Sequence, residues 1–409
     1  TSTASVTGTE LVTNGTFDTN TTGWTAQTST LTWSSGTMQI TRSGGAGQTA
    51  YQAFTTVAGR RYVATAQVNS SGSRGDMYIM DGTGWGVTTL GSATGTFGQT
   101  LILSVTFIAS STTSTLGFSV DNNGTSIFVD NVSVRLAEPD RSVNNKGLQV
   151  YGTITKSAVA TGSNLVAYGP FSTSNRLQQP FNSDFNFGTN NFSVMLWFKS
   201  TASGTEQFIR KGNPSDDIGC FESYITSVGG SGNIRFVIKH TDNSSVTVLN
   251  SGTIGWNNGI WNHYVGVRRS SGSMELYLNG VLSNSTTTSF SVTNTSPSSI
   301  LDIGSVGSLA NGASNTFLSL IRISGTAPSP EQIRKIYNDE KALFQPNSQC
   351  TLYGSSDAVT ALAYDDVTKR LHVGTSSGRS EFLGLERINN TTTAVTTSIS
   401  AYDSFVAEQ

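Results

Sequence analysis

Short runs with apolar residues at alternate positions recur along the chain, and between them lie segments dense in Gly, Ser, Thr and Asn. This is the period of half-buried β-strands ended by turns. The run from Trp261 to Gly280, WNHYVGVRRSSGSMELYLNG, reads as two strands joined by a Ser-Gly turn, with Met274, Leu276 and Leu278 on one face before an Asn-Gly turn. YQAFTTVAGRRYVATAQV, QTLILSVTFIAS, FSVMLWFKS, NIRFVIKHT, LDIGS and TFLSLIRISG read in the same way. One segment, PSPEQIRKIYNDEKALF, has the period of a helix. Ser329 caps it, Pro330 suits its first position, Gln332 completes a capping box, and Ile333, Ile336 and Tyr337 share a face.

The pattern breaks twice. AEPDRSVNNKG (137–147) has weak periodicity, and Pro346 follows the helix. The expected fold is all-β: tandem β-sandwich jelly rolls over residues 1–136 and 148–347, one short helix at the end of the second, and a β-rich tail over 348–409. In the tail, VTALAYDDVTKRLHVGTS gives strand, Asp-rich turn and strand, and SEFLGLERIN a further strand. Such a piece leaves sheet edges open, so assembly into a homo-oligomer or docking on the second sandwich is its expected role.

Composition narrows the class. Charged residues make up 12% of the 409, against about 25% in an average protein, while 20 Phe, 12 Tyr and 6 Trp supply core material that disordered chains lack. This is the profile of an extracellular or virion surface β-protein. A net charge of −2 with no basic cluster longer than a pair gives no reason to expect nucleic acid, and no apolar run approaches the ~20 residues of a membrane span. The absence of an initiator Met points to processing or to a segment of a longer chain. Cys220 and Cys350 fall in different segments and are expected as free thiols.

Catalytic chemistry finds little support. Asp and Asn cluster in turn contexts such as NPSDD, DNNG and YDDVT, Glu275 lacks a carboxylate partner in its strand, and His240, His263 and His372 stand apart in strand-like stretches. The expectation is a protein that is not an enzyme. Sugar recognition needs aromatic faces with polar groups beside them. Trp85, between glycines in GTGWGV, is the first candidate; Tyr51 and Tyr78 would share its platform, with Arg42 or Gln52 as polar partners. Trp197, Trp256 and Trp261 are expected in the core or at corners of the second sandwich.

Two resemblances sharpen these expectations. The hairpin at 261–280, with the strands before and after it, resembles laminin-G-like, concanavalin-like jelly rolls, which mostly bind sugars or proteins. Here Phe317-Leu318-Ser319-Leu320-Ile321-Arg322 stands where that family usually carries acidic residues, and the Glu-x-Asp-x-x-Glu strand of its catalytic members has no counterpart. ELVTNGTFDTNTTGW and TSIFVDNVSVRL resemble the first and last strands of family 4/9/22-type carbohydrate-binding modules. That resemblance implies a structural Ca²⁺ at Thr16, Gly36 and Asp130, hard oxygen donors of the kind the ion requires. The tail resembles part of a β-propeller blade. The whole resembles bacteriophage tail fibres, spikes and capsid decorations, which implies a virion-associated surface protein that recognises host-surface glycans beside other virion proteins. A purely structural virion or filament subunit and a secreted bacterial carbohydrate-binding protein are the alternatives.

Overall fold

The computed structural model describes residues 4–45, 50–85, 88–138, 147–213, 218–228, 231–240, 246–252, 255–296, 298–305, 312–354 and 358–409. It is built from antiparallel strands, as the alternation predicts. After a leading strand β1 (Ala4–Gly8), the first sandwich contains β2 (Thr25–Ala26), β3 (Ser29–Ser34), β4 (Thr37–Arg42), β5 (Ala50–Thr55), β6 (Arg61–Asn69), β7 (Gly75–Asp81), β8 (Thr89–Thr94), β9 (Thr100–Ile108), β10 (Thr113–Val120) and β11 (Ser126–Glu138). Two five-stranded sheets face each other, ordered β2-β5-β10-β7-β8 and β3-β4-β11-β6-β9. Between them Phe17, Met38, Ile40, Met77, Ile79, Leu116, Phe118, Ile127, Val129 and Val134 form a closed core.

The second sandwich contains β12 (Leu148–Ala158), β13 (Val166–Tyr168), β14 (Arg176–Gln179), β15 (Phe192–Ser200), β16 (Glu206–Gly212), β17 (Phe221–Val228), β18 (Ser231–Lys239), β19 (Val246–Asn250), β20 (Trp261–Arg268), β21 (Ser273–Leu278), β22 (Val281–Thr287), β23 (Ile300–Ile303) and β24 (Thr316–Ser324). One sheet runs β12-β13-β24-β15-β20-β21-β22 and the other β12-β14-β23-β16-β17-β18-β19. β12 serves both and changes sheet near Gly152, whose φ of 62° and close approach to Asn175 Oδ1 leave no room for a side chain. Helix α1 (Pro330–Glu340) starts at the expected capping box: Ser329 Oγ accepts from Gln332 N at 3.2 Å and Gln332 Oε1 accepts from Ser329 N at 2.8 Å. It buries Ile333 against Met195, Val265, Val267 and Tyr277.

The division between sandwiches needs one correction. β1, at the start of the chain, adds to the second sandwich, pairing Ala4–Gly8 with Lys156–Gly152 of β12. A strand's partners are set by where the chain comes to lie, which local alternation does not record. Immediately after it, the Glu10 carboxylate accepts from the backbone N of Val12 and Val134 and pairs with Arg135 at 3.2 Å. Arg135 in turn lies over the Tyr151 ring, 4.2 Å from its centre, as does Arg176 of β14 at 4.1 Å. The two sandwiches are therefore joined by a strand and by a cation–π stack.

The tail forms a four-stranded sheet, β25 (Val359–Asp365), β26 (Arg370–Thr375), β27 (Gly378–Leu383) and β28 (Glu386–Asn390), and a hairpin, β29 (Ile399–Tyr402) with β30 (Phe405–Glu408). It is held to the second sandwich's C-terminal segment by Gln349 and Ser348, bonded to Arg387 and Glu386. Cys220 and Cys350 are not joined in a disulfide. Among the described residues no helix is long and apolar enough to cross a membrane.

Candidate functional site

The sheet β2-β5-β10-β7-β8 turns one face to the core and the other outward. On β10, Leu116 and Phe118 point in, so Thr115 and Gly117 point out. Gly117 lies in register with Tyr51 on one side and Tyr78 on the other, and the row continues to Thr25 and Ser92. The two tyrosine Cα atoms are thus about 10 Å apart, two strand spacings.

The chain then delivers Trp85 onto the gap between them. Gly82 and Gly84, at φ of 75° and 98°, let the segment after β7 fold back over the outer face. Thr115 Oγ1 pins it, donating to Gly82 O at 2.7 Å and accepting from Gly84 N at 3.1 Å. The indole occupies the space a side chain at Gly117 would fill, since a Cβ there would fall 2.1 Å from Trp85 Cζ3. The ring meets Tyr78 edge-on with centroids 5.5 Å apart. Trp85, Tyr78 and Tyr51 are all half-buried, so apolar surface from each ring reaches solvent. Gly117 escaped the sequence reading; its signal was a glycine inside a strand, which marks close approach of another group.

The expected polar partners do not join this platform. Gln52 neighbours Tyr51 in sequence but points to the opposite face, where it is buried, accepts from Thr13 N at 2.7 Å and donates to Thr13 O and Gly23 O. Its amide clamps the N-terminal loop, with both N–H donors committed to backbone carbonyls. Arg42, on the other sheet, donates to the carbonyls of Gly44, Gly45, Val120 and Asp121. Its guanidinium secures loop ends, so both residues are structural.

Thr16, Gly36 and Asp130 come to one end of the β3-β4-β11 sheet. Trp33, Met38 and Val129 are cross-strand neighbours there, Gly36 (φ 82°) sits in the β3–β4 turn just beyond, and Asp130 follows Val129. The loop holding Thr16 is tied to the same end: Trp33 Nε1 donates to Phe17 O at 2.7 Å, and Val132 N to Gly15 O at 2.9 Å. Burial raises the Asp130 carboxyl above its ordinary range, and the nearby Asp18 carboxylate raises it further. Thr16 Oγ1 donates to Asp18 Oδ2 at 3.1 Å. A carboxylate, a second carboxylate near enough to be felt by it and a hydroxyl are hard-oxygen donors of the kind that suits Ca²⁺ and not a soft metal. Asp18, absent from the expected ligands, is the residue directly after Phe17.

In the second sandwich the aromatic residues serve packing. Trp197 is buried, stacked 4.2 Å from Phe344, and donates Nε1–H to Glu340 Oε2 at 2.7 Å. Trp261 packs at 4.9 Å on Phe344 and donates to Val159 O, and Trp256 lies against the main core. The interior carboxylates are likewise engaged. Glu206 accepts from Asn315 and Thr316, Glu222 pairs with Lys239, and Asp302, which burial pushes up to about 6, pairs with Arg176 and accepts from Gln178.

Comparison with known proteins bears on this half of the chain. No curated protein matches the sequence. Among solved structures, the botulinum neurotoxin serotype D binding domain is 15% identical, with 61% of this chain and 60% of that one covered and a TM-score of 0.39. The binding domain of botulinum neurotoxin DC in complex with SialylT is also 15% identical, covering 64% and 61% at a TM-score of 0.40. The same domain in complex with rat synaptotagmin II is 15% identical, covering 60% and 59% at a TM-score of 0.39. The match thus spans about three fifths of these structures, and no function is carried over from them. Residues 172–334, from the loop before β14 into α1, match the model of a laminin-G-type domain of the concanavalin A-like lectin/glucanases superfamily.

Proposed function

We propose that this chain is a non-catalytic glycan-recognition protein of an extracellular or virion surface, and that its first sandwich, of carbohydrate-binding-module type, holds the sugar on the Tyr51–Trp85–Tyr78 platform. The observation that carries this reading is Trp85 seated over Gly117 between two tyrosines, an open aromatic surface fixed by a hydrogen-bonded loop. Flat apolar rings beside hydroxyls suit the C–H face and the hydroxyl rim of a pyranose. The lectin-type second sandwich is in keeping with recognition, and the engagement of its interior carboxylates leaves them ill-suited to acid–base work. The Asp130–Asp18–Thr16 end is read as a structural Ca²⁺ site that steadies the same sandwich. Its ligands would be those two carboxylates and neighbouring oxygens, and the ion would neutralise their repulsion.

The test is a glycan array on the full chain and on Trp85→Ala, each with Ca²⁺ and with chelator, accompanied by melting curves. Specific binding that weakens at least ~30-fold in the variant, as for a Trp anchor, is expected, as is a lower melting temperature in chelator. A folded chain silent across bacterial polysaccharides overturns the recognition reading. A melting temperature indifferent to chelator overturns the calcium site.

A further inference from the structure

One lysine is buried where nothing balances its charge. Ile209, Phe221 and Leu301 belong to the core of the second sandwich, and Lys211 lies two residues from Ile209 on β16 and in register with the other two. Strand alternation therefore turns Lys211 inward, and it is 1% exposed. Its ammonium carries three N–H donors, yet among the described residues its hydrogen bond runs to Asn186 Oδ1 alone, at 2.8 Å. No described carboxylate pairs with it. A buried cation held by one neutral acceptor is costly. Burial pushes the Lys211 pKa down to about 8 from an ordinary 10.5, with Cys220 acting in the opposite sense. At about pH 8 roughly half of the molecules thus carry an uncharged, nucleophilic amine.

Asn186 is placed to receive that amine. It lies in the connection from β14 to β15, between Phe185 and Phe187, which pack on the same core. Its Oδ1 also accepts from the backbone N of Asn294 at 3.1 Å. That bond persists when the amine turns to attack, and it stabilises the negative charge that develops on the oxygen, as an oxyanion-hole donor does. The side-chain nitrogen of Asn186 donates to no described group, and the residue is only half-buried, so a leaving group there has a way out. Since a C=O bond is ~1.2 Å long, Nζ lies within ~4 Å of Asn186 Cγ, close to the ~3–3.5 Å of a reactive pair. A small turn about the last side-chain torsion of Asn186 presents the carbon.

We propose that Lys211 and Asn186 join in an intramolecular amide, a covalent cross-link between β16 of one sheet and the segment that leads into β15 of the other. The Lys211 Nζ–Asn186 Cγ bond forms, the Cγ–Nδ2 bond breaks, and one amine proton passes to Nδ2, which leaves as ammonia. Nothing is oxidised or reduced, and no other reactant enters. The product has no charge to bury, and it fastens the two sheets together at that end of the sandwich.

Mass spectrometry of the folded full chain, before and after a period at about pH 9, tests this. The chain is expected to be lighter by one ammonia, about 17 Da. Its tryptic digest should hold a branched peptide that joins the segments around Asn186 and Lys211, absent from Lys211→Met and Asn186→Ala. A succinimide at an Asn-Gly step loses the same mass, but it leaves the peptides unbranched and is opened by hydroxylamine. A wild-type chain that keeps its full mass through the incubation overturns the proposal, as does a loss of ammonia without the branched peptide. Both readings are made on the wild-type chain, so they stand even if a variant fails to fold.

Discussion

His263 offers a sharp test of how the second sandwich is held. It lies on β20 opposite Trp197, fully buried, with neither ring nitrogen hydrogen-bonded. Trp197 and Tyr337 pack on it at 5.2 and 6.0 Å. Burial, and secondarily the positive charge of Arg322, push its pKa down to about 3 from an ordinary 6.5. The sign follows directly: between those values the unfolded chain binds a proton that the folded chain refuses, so stability is lost as pH falls through the window. From about pH 8 to about pH 5 the loss is ~2 kcal/mol, rising to ~4 near pH 3. His263→Phe removes the titration. Its packing cost, ~1–3 kcal/mol for an overfilled core, is the same at every pH and drops out of the comparison. Asp302, raised to about 6 by burial, acts in the opposite sense, since its contribution is lost as pH rises through that value, but it is common to both proteins and cancels. Urea unfolding at pH 8, 6.5 and 5 should therefore show wild type losing ~2 kcal/mol more than the variant over this range. Parallel stability curves would refute the reasoning, because an imidazole that protonates freely in the fold is not confined as the packing describes.

Two further outcomes probe single contacts. Gly117→Ala places a methyl 2.1 Å from the Trp85 ring, so the indole must leave its seat; tryptophan emission should shift and glycan binding fall at least tenfold. Unchanged emission and binding would show that Trp85 does not rest there. Glu340→Gln weakens the paired bonds from Arg322 at 2.6 and 2.8 Å and the bond from Trp197 at 2.7 Å. Since Arg322 is itself part exposed, about 2 kcal/mol is expected in a urea titration rather than the larger cost of breaking a fully buried pair.

Local pattern was enough for the strands, the helix and the two sandwiches, because alternation and capping are properties of neighbouring residues. The Ser329–Gln332 capping box and the hairpin at 261–280 formed where the residues implied. Aromatic residues near the outer platform could also be picked out, since Trp85 follows glycines that allow a loop to reverse. Partner choice was a different matter. Gln52 and Tyr51 are adjacent in sequence, yet the two-residue period of a strand puts them on opposite faces and gives the amide to Thr13 and Gly23. Arg42 looks like a free cation until the fold brings four carbonyls to it.

Contacts between distant parts of the chain set the remainder. β1 crosses to the second sandwich, Asp18 comes near enough to Asp130 to raise its pKa, and Gly117 makes room for a tryptophan thirty-two residues earlier. The sequence by itself determined which segments become strands and which faces are apolar, for those follow from residue type and spacing. Only the tertiary structure decided which strands meet, which polar groups are consumed by one another and which apolar side chains stay uncovered. Each of those depends on loop closure across long stretches of chain, which no local pattern records.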